Sequence, residues 1–316
     1  MAVTLANDTL NGQDYSHTCI LDEFAKSSYL LNNIPCADVV SQLGAGSTLT
    51  YEYTRLVTQP TAAFRAVNEE YTPQEVKKQR YTVDLKIFGG AFEIDRIIAG
   101  MGGIVTEVQL QAAQKAKAAS ALFCDTVING DSATNAKAFD GLDVALTGTD
   151  TEVTTAVDLS TSALVTTNYM AFLDEFDEFL SNLNGTPDAL LMNSKMAAKM
   201  RAVARRAGMY QTTQDAYGRT VEQYGGIPFV DLGAKPGSND PIIGITAGKT
   251  DIYAVRFGLD AFHAISMAGQ PPVRMWLPDF STAGAVKKGE VEMTAAVALK
   301  TSASCGVLRG TKVAAA

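Results

Sequence analysis

The sequence predicts an α+β fold, on three observations. Apolar and polar residues alternate with period two near the start of the chain and again after residue 217. Two long amphipathic stripes of helical period lie between them. Helices are therefore grouped in the middle with strands before and after, not interleaved as βαβ units of a parallel sheet.

Residues 1–46 read as an extended arm: a polar lead from Asn7 to Tyr15, short helical candidates at 20–31 and 35–43, and a close at Gly44-Ala-Gly46. A two-stranded arm follows at 47–95. Its outbound strand, Ser47 to Thr58, places Leu49, Tyr51, Tyr53, Arg55 and Val57 on one face. The return strand places Tyr81, Val83, Leu85 and Ile87 on one face against Thr82, Asp84, Lys86 and Phe88 on the other. Between them, Gln59 to Arg80 forms a charged connection of a length that is uncommon inside compact domains. The arm has almost no core of its own, which predicts a neighbour for it to pack on, with Tyr51 and Tyr53 turned towards that neighbour.

Gly100-Met-Gly-Gly103 breaks the chain, and Thr106 with Gln109 has the spacing of a capping box for a helix over 104–128. Val108, Ala112, Ala116, Ala119, Phe123 and Val127 recur at helical spacing, and Asn129-Gly130 is a stop. A second helix over 167–183 has Tyr169, Phe172, Leu173, Phe176, Phe179, Leu180 and Leu183 on one face. Asp174, Glu175, Asp177 and Glu178 read as its solvated face and not as a metal or acid/base set, since no histidine stands near in sequence. Ala189 to Asn193 reads as a buried strand, and Ser194 as the cap of a basic helix, Lys195 to Ala207, ending at Gly208. Its cluster of Lys195, Lys199, Arg201, Arg205 and Arg206 lacks interleaved aromatics, so a subunit or domain contact is the better reading than nucleic acid. Strands are then expected at 220–223, 227–232, 242–246, 252–257, 273–277 and 290–301, with a surface turn at 233–241.

At 316 residues the chain is long enough for one elaborate domain or two moderate ones. Its net charge of −8 removes the positive field that nucleic-acid binding requires, leaving only weak contact with DNA. No apolar run reaches membrane-spanning length and the first residues lack the charge and apolar pattern of a signal peptide, so a soluble cytoplasmic setting is expected. Cys19, Cys36, Cys124 and Cys305 are scattered and read as reduced thiols.

No enzyme reading survives its own requirements. Gly244-Ile-Thr-Ala-Gly248-Lys249-Thr250 resembles a phosphate-binding loop, but its first glycine is misplaced by one residue and a strand follows where a helix must open. A hairpin turn is the alternative. His17 and His263 each stand alone, His17 with Cys19 being two ligands short of a zinc site. There is no Gly-x-Ser-x-Gly elbow, and Gly100–Gly103 lacks dinucleotide-binding spacing. No catalytic, cofactor or metal residue is therefore expected.

Three stretches, in this order, carry a resemblance. Asp95-Arg-Ile-Ile-Ala-Gly through Asp125-Thr-Val-Ile-Asn-Gly-Asp131 resembles a spine helix and the loop after it. Leu191-Met-Asn-Ser-Lys-Met-Ala-Ala-Lys-Met-Arg resembles a strand-then-helix of an axial domain. Asp215-Ala-Tyr-Gly-Arg219 followed by Tyr224-Gly-Gly-Ile-Pro-Phe-Val-Asp231 is similar to a "Gly-Arg … Gly-x-Pro-Val" pattern, with Phe229 where valine is usual. Together they resemble the major capsid proteins of tailed bacteriophages, of the Hong Kong 97-type fold.

The resemblance implies an N-terminal arm (1–46), an extended E-loop hairpin (47–95), a peripheral domain with the long spine helix (96–150 and 281–302) and an axial domain (151–280 and 303–316). It implies a structural protein that self-assembles through hexamers and pentamers into an icosahedral shell around phage DNA, with an encapsulin-like nanocompartment shell as the alternative. Intersubunit contacts would fall on Tyr51, Tyr53, Phe64, Tyr71, Lys77 and Lys78. Implied partners are further copies of the chain, a portal, a separate scaffolding or decoration protein, and weakly held double-stranded DNA; the location is the virion, after assembly in the host cytoplasm. Too little sequence precedes the hairpin for a fused scaffolding segment, and Lys77, Lys78 and Lys86 read as edge protection before cross-linking groups.

Overall fold

A computed structural model describes residues 29–40, 49–101, 106–208, 211–214, 220–267 and 273–314. The expected polar lead, most of the 20–31 helix, His17, Cys19 and the Asp215–Arg219 stretch lie outside the described residues. In chain order the helices are α1 (Tyr29–Asn33), α2 (Arg96–Gly100), α3 (Glu107–Asn129), α4 (Leu142–Leu146), α5 (Ser162–Ser181) and α6 (Ser194–Ala207). The strands are β1 (Cys36–Val40), β2 (Thr50–Leu56), β3 (Lys78–Asp84), β4 (Lys86–Asp95), β5 (Glu152–Thr154), β6 (Ala189–Leu191), β7 (Gln211–Gln214), β8 (Thr220–Tyr224) and β9 (Ile227–Val230). They continue with β10 (Lys249–Val255), β11 (Phe262–Met267), β12 (Val273–Trp276), β13 (Val286–Leu299) and β14 (Cys305–Lys312).

Among the described residues these strands form two large sheets and the two-stranded arm. In the five-stranded sheet, β13 is the centre: β4 lies antiparallel to it over Val286–Ala295, while β12 and β11 pair with Glu290–Met293 and Ala295–Leu299. Helix α3 covers this sheet. Its alanines are the reason it can sit close: Ala112, Ala116 and Ala119 are buried, and Phe123 stacks on Phe88 with centroids 6.1 Å apart. The helix runs Glu107–Asn129, close to expectation, but Thr106 makes no side-chain cap bond, so the expected capping box is not formed. Gly130 ends it for want of space, since a Cβ there would sit 2.3 Å from the Phe139 carbonyl oxygen and 2.4 Å from that of Thr126.

The seven-stranded sheet runs β5-β14-β10-β6-β9-β8-β7, with α5 and α6 packed against it. Phe172, Phe176 and Phe179 of α5 are fully buried, and Phe176 meets the Tyr224 ring edge-on at 5.4 Å. Helix α5 begins five residues before the expected 167, because Thr161 caps it by accepting from the Leu164 N–H. Helix α6 is capped by Asn193, not Ser194: its amide oxygen accepts from the Met196 N–H at 2.8 Å. Gly208 ends it in the left-handed conformation at φ 71, as its type and place suggest.

Three other expectations are overturned. The helix expected at 35–43 is strand β1 over its described part, parallel to β11, consistent with the β-branched Val39-Val40 pair. The strand expected at 242–246 is absent; Ile242 and Ile243 are buried, but their carbonyls are taken by the side-chain amides of Asn129 and Asn193 in place of a ladder. The return strand is interrupted at Leu85, whose N–H turns to the Leu49 carbonyl at 2.7 Å. That break switches the buried parity, so Ile87 is exposed while Phe88, assigned to the other face, packs against Phe123. Within the 151–280 segment, strands β11 (Phe262–Met267) and β12 (Val273–Trp276) are hydrogen-bonded into the five-stranded sheet beside β13.

Candidate intersubunit surface

The arm divides into a docked root and a projecting tip. At the root, Tyr51, Tyr53 and Val83 pack against a cluster made by Leu85 of the arm with Ile265 and Ala298 of the chain's own five-stranded sheet. The Tyr53 hydroxyl donates to the Leu299 carbonyl at 3.0 Å, and Arg55 Nε donates to the Lys300 carbonyl at 2.8 Å. The Tyr53 ring stacks on Tyr81 at 5.7 Å, with the Arg55 guanidinium 4.4 Å from the Tyr81 centroid. Burial pushes the Tyr53 hydroxyl above its usual range, though Arg55 works against it. The core that the sequence seemed to leave to a neighbouring subunit is thus supplied, for Tyr51 and Tyr53, by β11 and β13 of the same chain.

Beyond Leu56 the arm leaves the body. Phe64 is fully exposed, Val67 is 88% exposed and Tyr71 62%, with Leu56, Val57 and Val76 also open to solvent. The loop is tied across its width nonetheless. The Gln74 side chain bonds the Thr61 N–H at 2.7 Å, Lys77 N–H donates to Thr58 Oγ1 at 2.8 Å, and Arg65 Nη1 reaches the Glu69 carbonyl at 3.0 Å. Lys77 and Lys78 stand exposed at the neck. The structure therefore separates the six candidates: Tyr51 and Tyr53 at the docked root, Phe64 and Tyr71 at the tip, the two lysines between. Phe64, Val67 and Tyr71 thus form an exposed apolar group on the part of the hairpin that leaves the body.

Under the root lies a group whose burial the sequence did not disclose. His263 is fully buried, neither ring nitrogen has a hydrogen bond of normal geometry, and the Tyr51 ring meets it edge-on at 6.1 Å. Burial foremost, then the Lys300 charge, hold its pKa below 6.5, with the Ala261 backbone and Asp260 offsetting part of that shift. Between that lowered value and 6.5 the unfolded chain binds more protons than the folded one, so stability falls as the pH drops through this window. Urea-unfolding midpoints should decline from pH 7 to pH 5, and His263→Leu should flatten the decline; an unchanged slope in the variant would refute the assignment.

The other sequence candidates resolve into structural roles. Ala247 (φ 51) and Gly248 (φ 76) form a two-residue turn between bridged Thr246 and Lys249. That is a hairpin geometry, and no helix opens after it. The Thr250 hydroxyl donates to the Gly244 carbonyl and accepts from Asn193, holding the turn to the α6 cap. On α5, Asp177 accepts from the Tyr224 hydroxyl at 2.7 Å and Glu175 bonds Thr155. Cys305 is buried, and that burial pushes its thiol up to about 12. Among the described residues no cluster could hold a metal ion and no helix is long and apolar enough to cross a membrane.

Sequence reading also missed the charged joint around Arg309 on β14. Its guanidinium bonds Glu152 of β5, Asp143 of α4 at 2.5 Å, the Asp143 carbonyl at 3.2 Å and Thr147 Oγ1 at 3.1 Å, with Asp251 of β10 at 3.5 Å. Burial opposes the Arg309 charge, but the bonds to Asp143 and Glu152 outweigh it and raise its pKa. Glu152 is held low, by the Gly148 N–H first and then Arg309, whereas burial leaves Asp251 raised.

No protein-family model and no curated protein matches this sequence. Solved structures do. A chain of the holo-SrpI encapsulin complex from Synechococcus elongatus superposes with a TM-score of 0.64 at 15% identity, covering 99% of this chain and 96% of that one. A chain from Mycobacterium phage Bobi gives 0.60 at 14% identity over 95% and 96%. The capsid of a native GTA particle gives 0.58 at 14% identity over 95% and 92%. At such identities the likeness speaks for the path of the chain. With the hairpin arm, the long helix against one sheet and the helix pair against the other, that path is the Hong Kong 97-type fold.

Proposed function

We propose that this chain is a structural shell protein, the major capsid protein of a tailed bacteriophage, whose copies assemble through hexamers and pentamers into a closed icosahedral capsid around double-stranded DNA. The observation that carries the reading is the projecting tip: Phe64, Val67 and Tyr71 are left without cover on an ordered hairpin, in a chain whose fold is that of shell proteins along nearly its whole length. Burying aromatic side chains across a subunit contact supplies association energy that their exposure in a monomer forgoes.

In this reading residues 1–46 are the N-terminal arm and 47–95 the E-loop. Residues 96–150 and 281–302 build the peripheral domain, and 151–280 with 303–316 the axial domain; the pairing of β11 and β12 with β13 supports counting those two strands with the peripheral domain. The role is mechanical and not catalytic, the location is the virion, and assembly takes place in the host cytoplasm with a portal and separate scaffolding or decoration proteins. The net charge of −8 suits an inner wall that encloses DNA without adhering to it.

A second reading rests on the likeness to the encapsulin chain, which extends over 99% of this sequence: a nanocompartment shell enclosing protein. Electron microscopy of the expressed protein tests what the two share, and only monomers under all assembly conditions would refute both. Particles from the native source then separate them, DNA contents supporting the capsid and protein cargo the compartment.

A further inference from the structure

The helix pair on the seven-stranded sheet carries opposite charge on its two outer flanks. At about 100° per residue, Asp177 of α5 falls on the flank of Ser162 and Thr166, which face α6 and accept from Arg206. Asp174, Glu175 and Glu178 fall on the outward arc and the flank beyond it, where Glu175 meets Thr155 after β5. On α6 the division is reversed. Lys199 and Arg206 reach back to Ser160, Ser162 and Thr166, whereas Arg201 and Arg205 lie one turn apart on the far side, where Arg201 pairs with Glu222 of β8 at 2.7 Å. Asp174, Glu178 and Arg205 are exposed, and among the described residues none of them has an ion-pair partner.

We infer that these flanks are the two halves of one contact, the acidic flank of α5 in one copy meeting the basic flank of α6 in the next copy around a ring. The inference rests on the shell reading and names its partner, a second copy of this chain in head-to-tail order. Two features support it. The flanks lie at opposite sides of one layer, as a heterologous, ring-closing contact requires and an isologous dimer does not. Their charges are complementary within a chain whose overall balance is acidic, so copies that approach in any other order oppose like charges.

Charge exchange is the test, read by electron microscopy and by light scattering on a sizing column. Asp174→Arg with Glu178→Arg makes both flanks positive, and Arg205→Glu weakens the positive one; each variant should lose about tenfold or more of its closed-shell yield while its monomer melts as wild type does. All three changes in one chain should restore closed shells. Co-expressing the two single-flank variants should yield six-membered rings of alternating copies, whereas five-membered rings, being odd, should not close. Should a reversal fail to fold, Arg205→Gln opposes no charges, and its ring association should be weaker and less sensitive to salt than wild type. Full shell yield from either flank variant, or no recovery in the exchanged chain, overturns the contact and leaves the shell reading standing. Wild-type protein that forms neither rings nor shells overturns both.

Discussion

Replacing Gln59–Glu75 by Asn-Gly should leave a folded monomer that no longer closes shells. The segment removed is exposed throughout and its hydrogen bonds are internal to the arm, so the body loses no packing. The strands that remain are still in register, Arg55 opposite Gln79 and Leu56 opposite Lys78, and a two-residue Asn-Gly turn fits their twist. Below it, Tyr53 and Arg55 stay bonded to Leu299 and Lys300, which holds the root in place. The monomer's melting midpoint should therefore hardly change while particles disappear from electron micrographs. Normal shells from this variant would sink the assignment of the tip as an intersubunit contact, and loss of the fold would contradict the division into root and tip.

The second large effect is expected at the charged joint. Arg309→Met removes the cation that Asp143, Glu152 and Asp251 share, leaving three carboxylates facing one another across α4, β5 and β10. Stranding buried charges costs about 3–5 kcal/mol, and exposed pairs contribute about 0–1 kcal/mol. The Arg309 side chain is 22% exposed, so a loss on the order of 2–3 kcal/mol at neutral pH is expected. The deficit should shrink as the pH falls towards 4, because protonation relieves the carboxylates of their mutual repulsion. Chemical unfolding at pH 7 and pH 4.5 measures both. A loss below about 0.5 kcal/mol at pH 7, the range of an ordinary surface substitution, would show that the joint is ornamental to stability.

Much of this molecule is legible in local pattern. The stripes of α3 and α5, the αL glycine ending α6 and the period-two arm follow from spacing, because each is set by which face must leave water. The phosphate-loop lookalike at 244–250 was also decidable, since the residues after Lys249 alternate as a strand. Boundaries and caps were less accessible. Thr161 and Asn193 each stand beside another plausible cap, and only the direction of the chain entering the helix selects between them. Strand β11 escaped notice because it is buried on both faces and carries His263 and Ser266, so nothing alternates.

Local periodicity is enough for helices α3, α5 and α6, for the two-stranded arm and for the exposed tip between its strands, since these depend on which face must leave water and on residues that find no partner nearby; β1 and β11 are not legible in it. Tertiary structure alone decided where the arm's root lies. Tyr51 and Tyr53 display an apolar face in any context, but which surface covers it depends on β11 and β13, more than two hundred residues further along. The same holds for Arg309, whose partners come from α4, β5 and β10. Charges scattered along a chain become a joint only when the sheet brings them within a few ångströms, and no local pattern encodes that meeting.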